Sequence, residues 1–68
     1  MPIGENLKKI LLEKSISQYR LSKDSGISQS YLSELINGKY NNPSIDILKK
    51  ISLVLGIRVA ELLEESIS

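Results

Sequence analysis

The 68-residue chain contains no Cys, His, Trp or Phe. Neither a disulfide nor a Cys/His zinc site can staple it. Thiol catalysis and Ser-His triad chemistry go with them, so most enzyme classes fall away and no cofactor or metal is expected. Its aromatic residues are three tyrosines, so the core must be aliphatic. No apolar run approaches the ~18 residues of a membrane span, and the first residues lack a secretory pattern. A cytoplasmic protein without membrane association is the expectation. Charge excess is also small, with a net charge of +1. It is unevenly placed: residues 1–50 carry +3 and residues 51–68 carry −2. That asymmetry is compatible with an anionic partner near the first part, and equally with an ordinary solvated surface.

What the chain has is branched aliphatic mass: 11 Leu, 10 Ile and two Val. The length suits one domain, residues 1–68, with no room for a second that senses a ligand. A chain this short buries roughly 60% of its unfolded surface, so these residues must pack efficiently. Glycine and proline act as punctuation. Ile3, Leu7, Ile10 and Leu11 form one stripe of a helix over 3–14, with Pro2 suited to its first turn. Ser17 caps a second helix at about 18–24, with Leu21, Ser22 and Ser25 inward. Ser28 caps a third at about 29–37, with Leu32, Leu35 and Ile36 inward. Asn37-Gly38 stops it. Pro43-Ser44 starts a fourth at about 45–55, whose inner set is Ile45, Leu48, Ile51, Ser52 and Leu55. Gly56 ends that helix, and Val59, Leu62 and Leu63 group on a fifth at about 59–66. Leu12 and Leu53 lie off their stripes. Five short helices make an all-α domain.

The informative block runs from Ser17 to Gly38. Two short capped helices joined by a tight turn make a helix-turn-helix at about residues 18–37. Ser22 supplies a small residue where the helices cross. Gly26 suits a turn that needs positive φ. Leu21, Ile27, Leu32 and Leu35 anchor both helices to one core. On the third helix, Gln29, Ser30, Ser33, Glu34 and Asn37 share the outer side. That face has no Lys or Arg, whereas ordinary solvated faces carry Lys and Glu. Amide and hydroxyl side chains can read base edges in a major groove. They are also good surface and cap residues.

With these residues in view, the chain resembles the Cro/cI-type (XRE) helix-turn-helix family of phage and bacterial repressors. The likeness runs from about Ile3 to Leu63. It rests on Ile3-Gly4-Glu5-Asn6-Leu7, Ser17-Gln18, Gly26-Ile27-Ser28, Asn37-Gly38-Lys39, Asn42-Pro43-Ser44 and Leu55-Gly56-Ile57. The stretch from Tyr31 to Ile45 is similar to repressors of sporulation and biofilm genes. The resemblance implies a lambda-repressor-like fold and sequence-specific binding of double-stranded DNA, usually as a homodimer on a palindromic operator. It implies base contacts from Gln29, Ser30 and Glu34, and Ser33, on the same outer side, is a further base-contacting candidate. Gln18 matches a glutamine that binds a phosphate and braces the reading glutamine. Asn37 and Lys39 match backbone-contacting positions. Tyr19, Tyr31 and Tyr40 flank the same face and are candidates for phosphate contact or for partial burial with wet hydroxyls.

The sequence departs from the family at one pair. Many relatives join the first and third helices by a buried arginine–glutamate pair, and the matching residues here are Leu11 and Ile36. Replacing both charges with apolar groups strands neither. Leu11 is therefore expected to touch Ile36 in the core. Relatives often dimerise through the last helix, so Ile57, Val59, Leu62, Leu63 and Ile67 are the expected dimer interface. The alternative function is a protein-interaction module with the same fold, such as an antitoxin or the target of a regulatory protein partner.

Overall fold

The computed structural model describes residues 3–40 and 42–63, and among these it holds five helices and no strand. They are α1 (Ile3–Lys14), α2 (Gln18–Ser25), α3 (Gln29–Ile36), α4 (Ile45–Leu55) and α5 (Val59–Leu63). Pro2, Ile67 and the expected last turn of the fifth helix at 64–66 lie outside the described residues. None of the described helices is long and apolar enough to cross a membrane.

The starts of the helices follow local chemistry. Ser17, Ser28 and Ser44 are extended N-cap residues whose hydroxyls accept the backbone N–H of Arg20, Tyr31 and Ile47. Each satisfies a donor that the first turn leaves without an intrahelical partner. The ends of α1, α3 and α4 share one motif. A left-handed residue reverses the chain, and the next N–H reaches a carbonyl five residues back. Ile57 donates in this way to Ser52 and Lys39 to Glu34, after Gly56 and Gly38. Ile16 donates likewise to Leu11, but the left-handed residue there is Ser15, with φ 56°. No glycine marks that stop in the sequence.

The layers follow from which faces are apolar. α1 packs on α3 and α5, α2 on α3 and α4, and α4 on α5. The core between them comprises Ile3, Leu7, Leu11, Leu21, Ile27, Leu32, Leu35, Leu48, Ile51, Leu55 and Leu62. Leu11 is buried and Ile36 is half-buried against the same core, so neither apolar replacement of the family's ion pair points into water. Leu12 and Leu53, off their stripes, are exposed. One expected core residue is not in the core: Ile45 is 57% exposed, and Ile47 packs against the cluster instead. A helical wheel gives the angle of Ile45, but burial also needs a neighbour beside the first residue of the helix.

One hydrogen bond and one close approach complete the assembly. The buried Asn6 donates its side-chain N–H to the carbonyl of Leu62 at 2.9 Å, tying α1 to α5. Gly4 lets α1 settle onto the C-terminal end of α3. A Cβ there would lie 2.7 Å from the Ile36 carbonyl oxygen and closer still to that of Leu35. The C-terminal end of α3 is thus held from behind by the backbone of α1.

Candidate nucleic-acid interface

The helix-turn-helix geometry comes from two serines and one turn. Ser22 is half-buried between α2 and α3, and its hydroxyl donates to the Ile27 carbonyl. It is therefore a fastener across the turn as well as a small residue. Ser25 accepts the Ile27 N–H at 3.2 Å. Gly26 adopts φ 78°, as the turn demands, and Ile27 drops into the core. These bonds occupy polar groups that a sharp turn would otherwise leave unpaired. They fix how far α3 projects from the body of the protein.

That projection gathers the expected base-contacting residues. Gln29, Ser30, Ser33 and Glu34 line one open polar hollow together with Gln18 from the first turn of α2. Gln29 and Ser30 are exposed at the start of α3, while Ser33 and Glu34 are half-buried further along. Gln18 is half-buried on the same surface, beside the glutamine it is expected to brace. Tyr19 is 59% exposed beside it. At the far end, Asn37 caps α3 and stays exposed.

The structure also joins residues that the sequence treats separately. Beyond α3, Gly38 at φ 87° turns the chain back, its N–H bonding to Leu35 and that of Lys39 to Glu34. Lys39 and Tyr40 consequently fold over the last turn of the helix. The Tyr40 hydroxyl donates to Glu34 Oε1 at 2.9 Å, and Lys39 Nζ bonds Glu34 Oε2 at 3.1 Å. The Tyr40 ring stacks on Tyr31, with centroids 5.0 Å apart and planes 17° from parallel. The Tyr40 hydrogen bond, then Lys39, hold the Glu34 carboxyl below its ordinary pKa. The same carboxylate raises the pKa of Tyr40 and of Lys39, in each case chiefly by its hydrogen bond. Tyr31 and Tyr40 are thus half-buried as a stacked pair, which accounts for two of the three tyrosines. The sequence signal for this cluster was Gly38 itself. A left-handed stop sends the next two residues back along the helix, within reach of Glu34.

The expected dimer surface is only partly intact. Leu62 is fully buried in the protomer's own core, where it packs beside α1 and α4 elements, so it has no surface to offer a second copy. Ile57 and Val59 are half-buried against that core, and Leu63 is 51% exposed. The wheel could not separate core from interface on a one-turn helix, because both demand apolar residues.

Comparison with known proteins adds to this geometry. The regulator SinR of Bacillus subtilis, described as an HTH-type transcriptional regulator, is 40% identical over 63 residues, which are 93% of this chain and 57% of SinR. The immunity repressor of Bacillus phage phi105 is 32% identical over 65 residues, 96% of this chain and 44% of that protein. The chain therefore spans about half the length of these relatives. A crystal structure of SinR in complex with DNA superposes with a TM-score of 0.86 at 39% identity, covering 91% of this chain and 98% of that one. A SinR/SinI complex superposes equally well, at 0.86 and 40% identity, over 93% of this chain and 61% of that one. Residues 6–65 match the family described as the Cro/C1-type HTH DNA-binding domain. A capped helix pair, a fastened turn and an uncovered polar face on α3 are what such a domain requires, and the chain belongs to that family.

Proposed function

We propose that this chain is a sequence-specific, double-stranded DNA-binding transcriptional regulator of the cytoplasm, acting as a repressor by occupying a palindromic operator. The observation that carries this is the hollow formed by Gln18, Gln29, Ser30, Ser33 and Glu34. It presents donors and acceptors from the outer side of α3 and the first turn of α2. α3 enters the groove with Gln29 leading, and a glutamine can pair with adenine N6 and N7. Asn37, Lys39 and Tyr19 bracket that helix and bind the sugar-phosphate backbone, which positions the domain without selecting sequence. Two copies, associating through Ile57, Val59 and Leu63, place their third helices about 34 Å apart, one turn of DNA.

Selection from a random duplex pool tests this. A two-fold symmetric site is expected. Gln29→Ala then costs about 1–3 kcal/mol on the selected site. Affinity falls steeply between 50 and 200 mM salt if about 6–10 phosphates are contacted per dimer. Unchanged discrimination in the Gln29 variant refutes the assignment. A second reading is that the chain is a protein-interaction module that takes a regulatory protein partner, and a SinR/SinI complex is among the structures that it resembles. Pull-down alongside gel shifts against random DNA separates the two.

A further inference from the structure

We infer that Glu34 selects a cytosine in each operator half-site and that Tyr40 is the residue that positions it. This rests on α3 being the helix that reads DNA. A carboxylate has two oxygens and about four acceptor sites. Tyr40 occupies one site on Oε1 and Lys39 one on Oε2. The Glu34 side chain remains 39% exposed, in the hollow shared with Gln18, Gln29, Ser30 and Ser33. Acceptor sites on both oxygens are therefore left for a partner in the groove.

That partner must donate. Guanine shows N7 and O6, both acceptors, and thymine shows the acceptor O4 beside a methyl group. Adenine offers an N6 donor, but its N7 acceptor stands next to it and would face the carboxylate. Cytosine offers the N4 amino group with no acceptor on the same edge. An anionic, acceptor-only side chain thus fits cytosine alone among the four. The cluster also answers the main objection to an acid facing DNA. Lys39 sets a positive charge 3.1 Å from the carboxylate, which offsets its repulsion of nearby phosphates. Tyr40, seated by its stack on Tyr31, removes rotamer freedom from Glu34 before DNA arrives, so less order is lost on binding. Tyr40 acts through Glu34 and is a positioning residue; its hydroxyl is already committed.

The test uses the 68-residue chain and a random duplex pool, selected in parallel with wild type, Glu34→Gln, Tyr40→Phe and Gln29→Ala. Wild type is expected to prefer cytosine at one position per half-site by roughly 5- to 150-fold over the other bases. Glu34→Gln, which exchanges an acceptor oxygen for a donor, shifts that position from cytosine toward adenine, whose N6 and N7 a glutamine can pair, and leaves the others as they were. Tyr40→Phe keeps the ring and its stack and loses only the hydroxyl. It weakens the same preference at temperatures well below either protein's Tm, where both are folded, an effect that a merely structural role would not produce. Replacing that cytosine with 2-pyrimidinone, which lacks the amino group, reduces the affinity of wild type by more than that of Glu34→Gln. A selected site whose bases are identical for wild type and Glu34→Gln overturns the inference. Full cytosine preference in Tyr40→Phe overturns the positioning role. If Gln29→Ala alters the selected sequence while Glu34→Gln does not, the cytosine assignment fails and the DNA-reading helix stands. If no protein selects any sequence, both fail.

Discussion

Replacing Gly4 with Ala tests whether the contact between α1 and α3 governs both stability and the reading helix. The added Cβ would sit 2.7 Å from the Ile36 carbonyl oxygen, whereas ordinary contact begins at 3.4 Å. The obstructing atoms are backbone, at the end of a helix whose other side is fastened by Leu32 and Leu35 in the core. They cannot swing aside as a side chain would, so α1 must lift by about 0.7 Å to clear Ile36, and by more to clear Leu35, in an interior packed as densely as a crystal. Overpacking of this kind costs about 1–3 kcal/mol, and the rigidity of the neighbours places this case in the upper half of the range. Alanine regains at most about 1 kcal/mol of helix propensity. The net expectation is a loss of about 1–2 kcal/mol. For a domain of this size that lowers Tm by about 4–16 °C. Circular dichroism melts at one fixed protein concentration measure it, since dimerisation would make Tm concentration-dependent. Operator affinity should fall as well, because the displaced end of α3 carries Glu34 and its clamp. A Gly4→Ala protein with an unchanged or higher Tm refutes the argument.

Three further expectations follow from single contacts. Asn6→Ala leaves the Leu62 carbonyl without its buried donor and should cost about 1–3 kcal/mol in urea unfolding; a loss under 0.5 kcal/mol would show that the α1–α5 tie is dispensable. Ser22→Ala removes the hydroxyl that spans the turn to Ile27 and should cost about 1 kcal/mol, with operator affinity reduced beyond what the stability change explains; affinity equal to wild type at temperatures well below Tm would count against the fastener. The pH response of the clamp has a defined sign. Glu34 is depressed below the ordinary glutamate value of 4.5, so the unfolded chain binds the proton first and the contribution is full above that pH. It is lost as pH falls through the lowered folded value. The acid limb of Tm against pH should therefore be shallower in Tyr40→Phe than in wild type, and superimposable limbs would contradict the clamp.

Much of this protein was legible without coordinates because its signals are local. A serine before an apolar period caps a helix by reaching a donor three residues on, and no neighbour is needed for that. Ser17, Ser28 and Ser44 marked three helix starts for this reason, and the bounds of α1 and α4 fell where the period placed them. The polar side of α3 was equally local, since a 3.6-residue repeat fixes which residues share a face. Gln29, Ser30, Ser33 and Glu34 accordingly emerged together, with Gln18 beside them.

What the tertiary structure decided concerns meetings between residues far apart in space or direction. Ile45 and Leu62 are both apolar and both on an inward angle, yet one is exposed and the other has no exposure at all. The difference is whether another helix reaches that turn, and periodicity contains no such information. Gly4 stands in the sequence only as one residue of a family motif, and only the approach of the Leu35 and Ile36 carbonyls shows why a side chain is excluded there. The joining of Glu34 to Lys39 and Tyr40, with Tyr31 stacked behind, required the chain to reverse at Gly38 and lie back on its own helix. Sequence chooses faces because side-chain direction repeats along a helix. Three-dimensional packing chooses partners, because a partner is set by where separate segments come to rest.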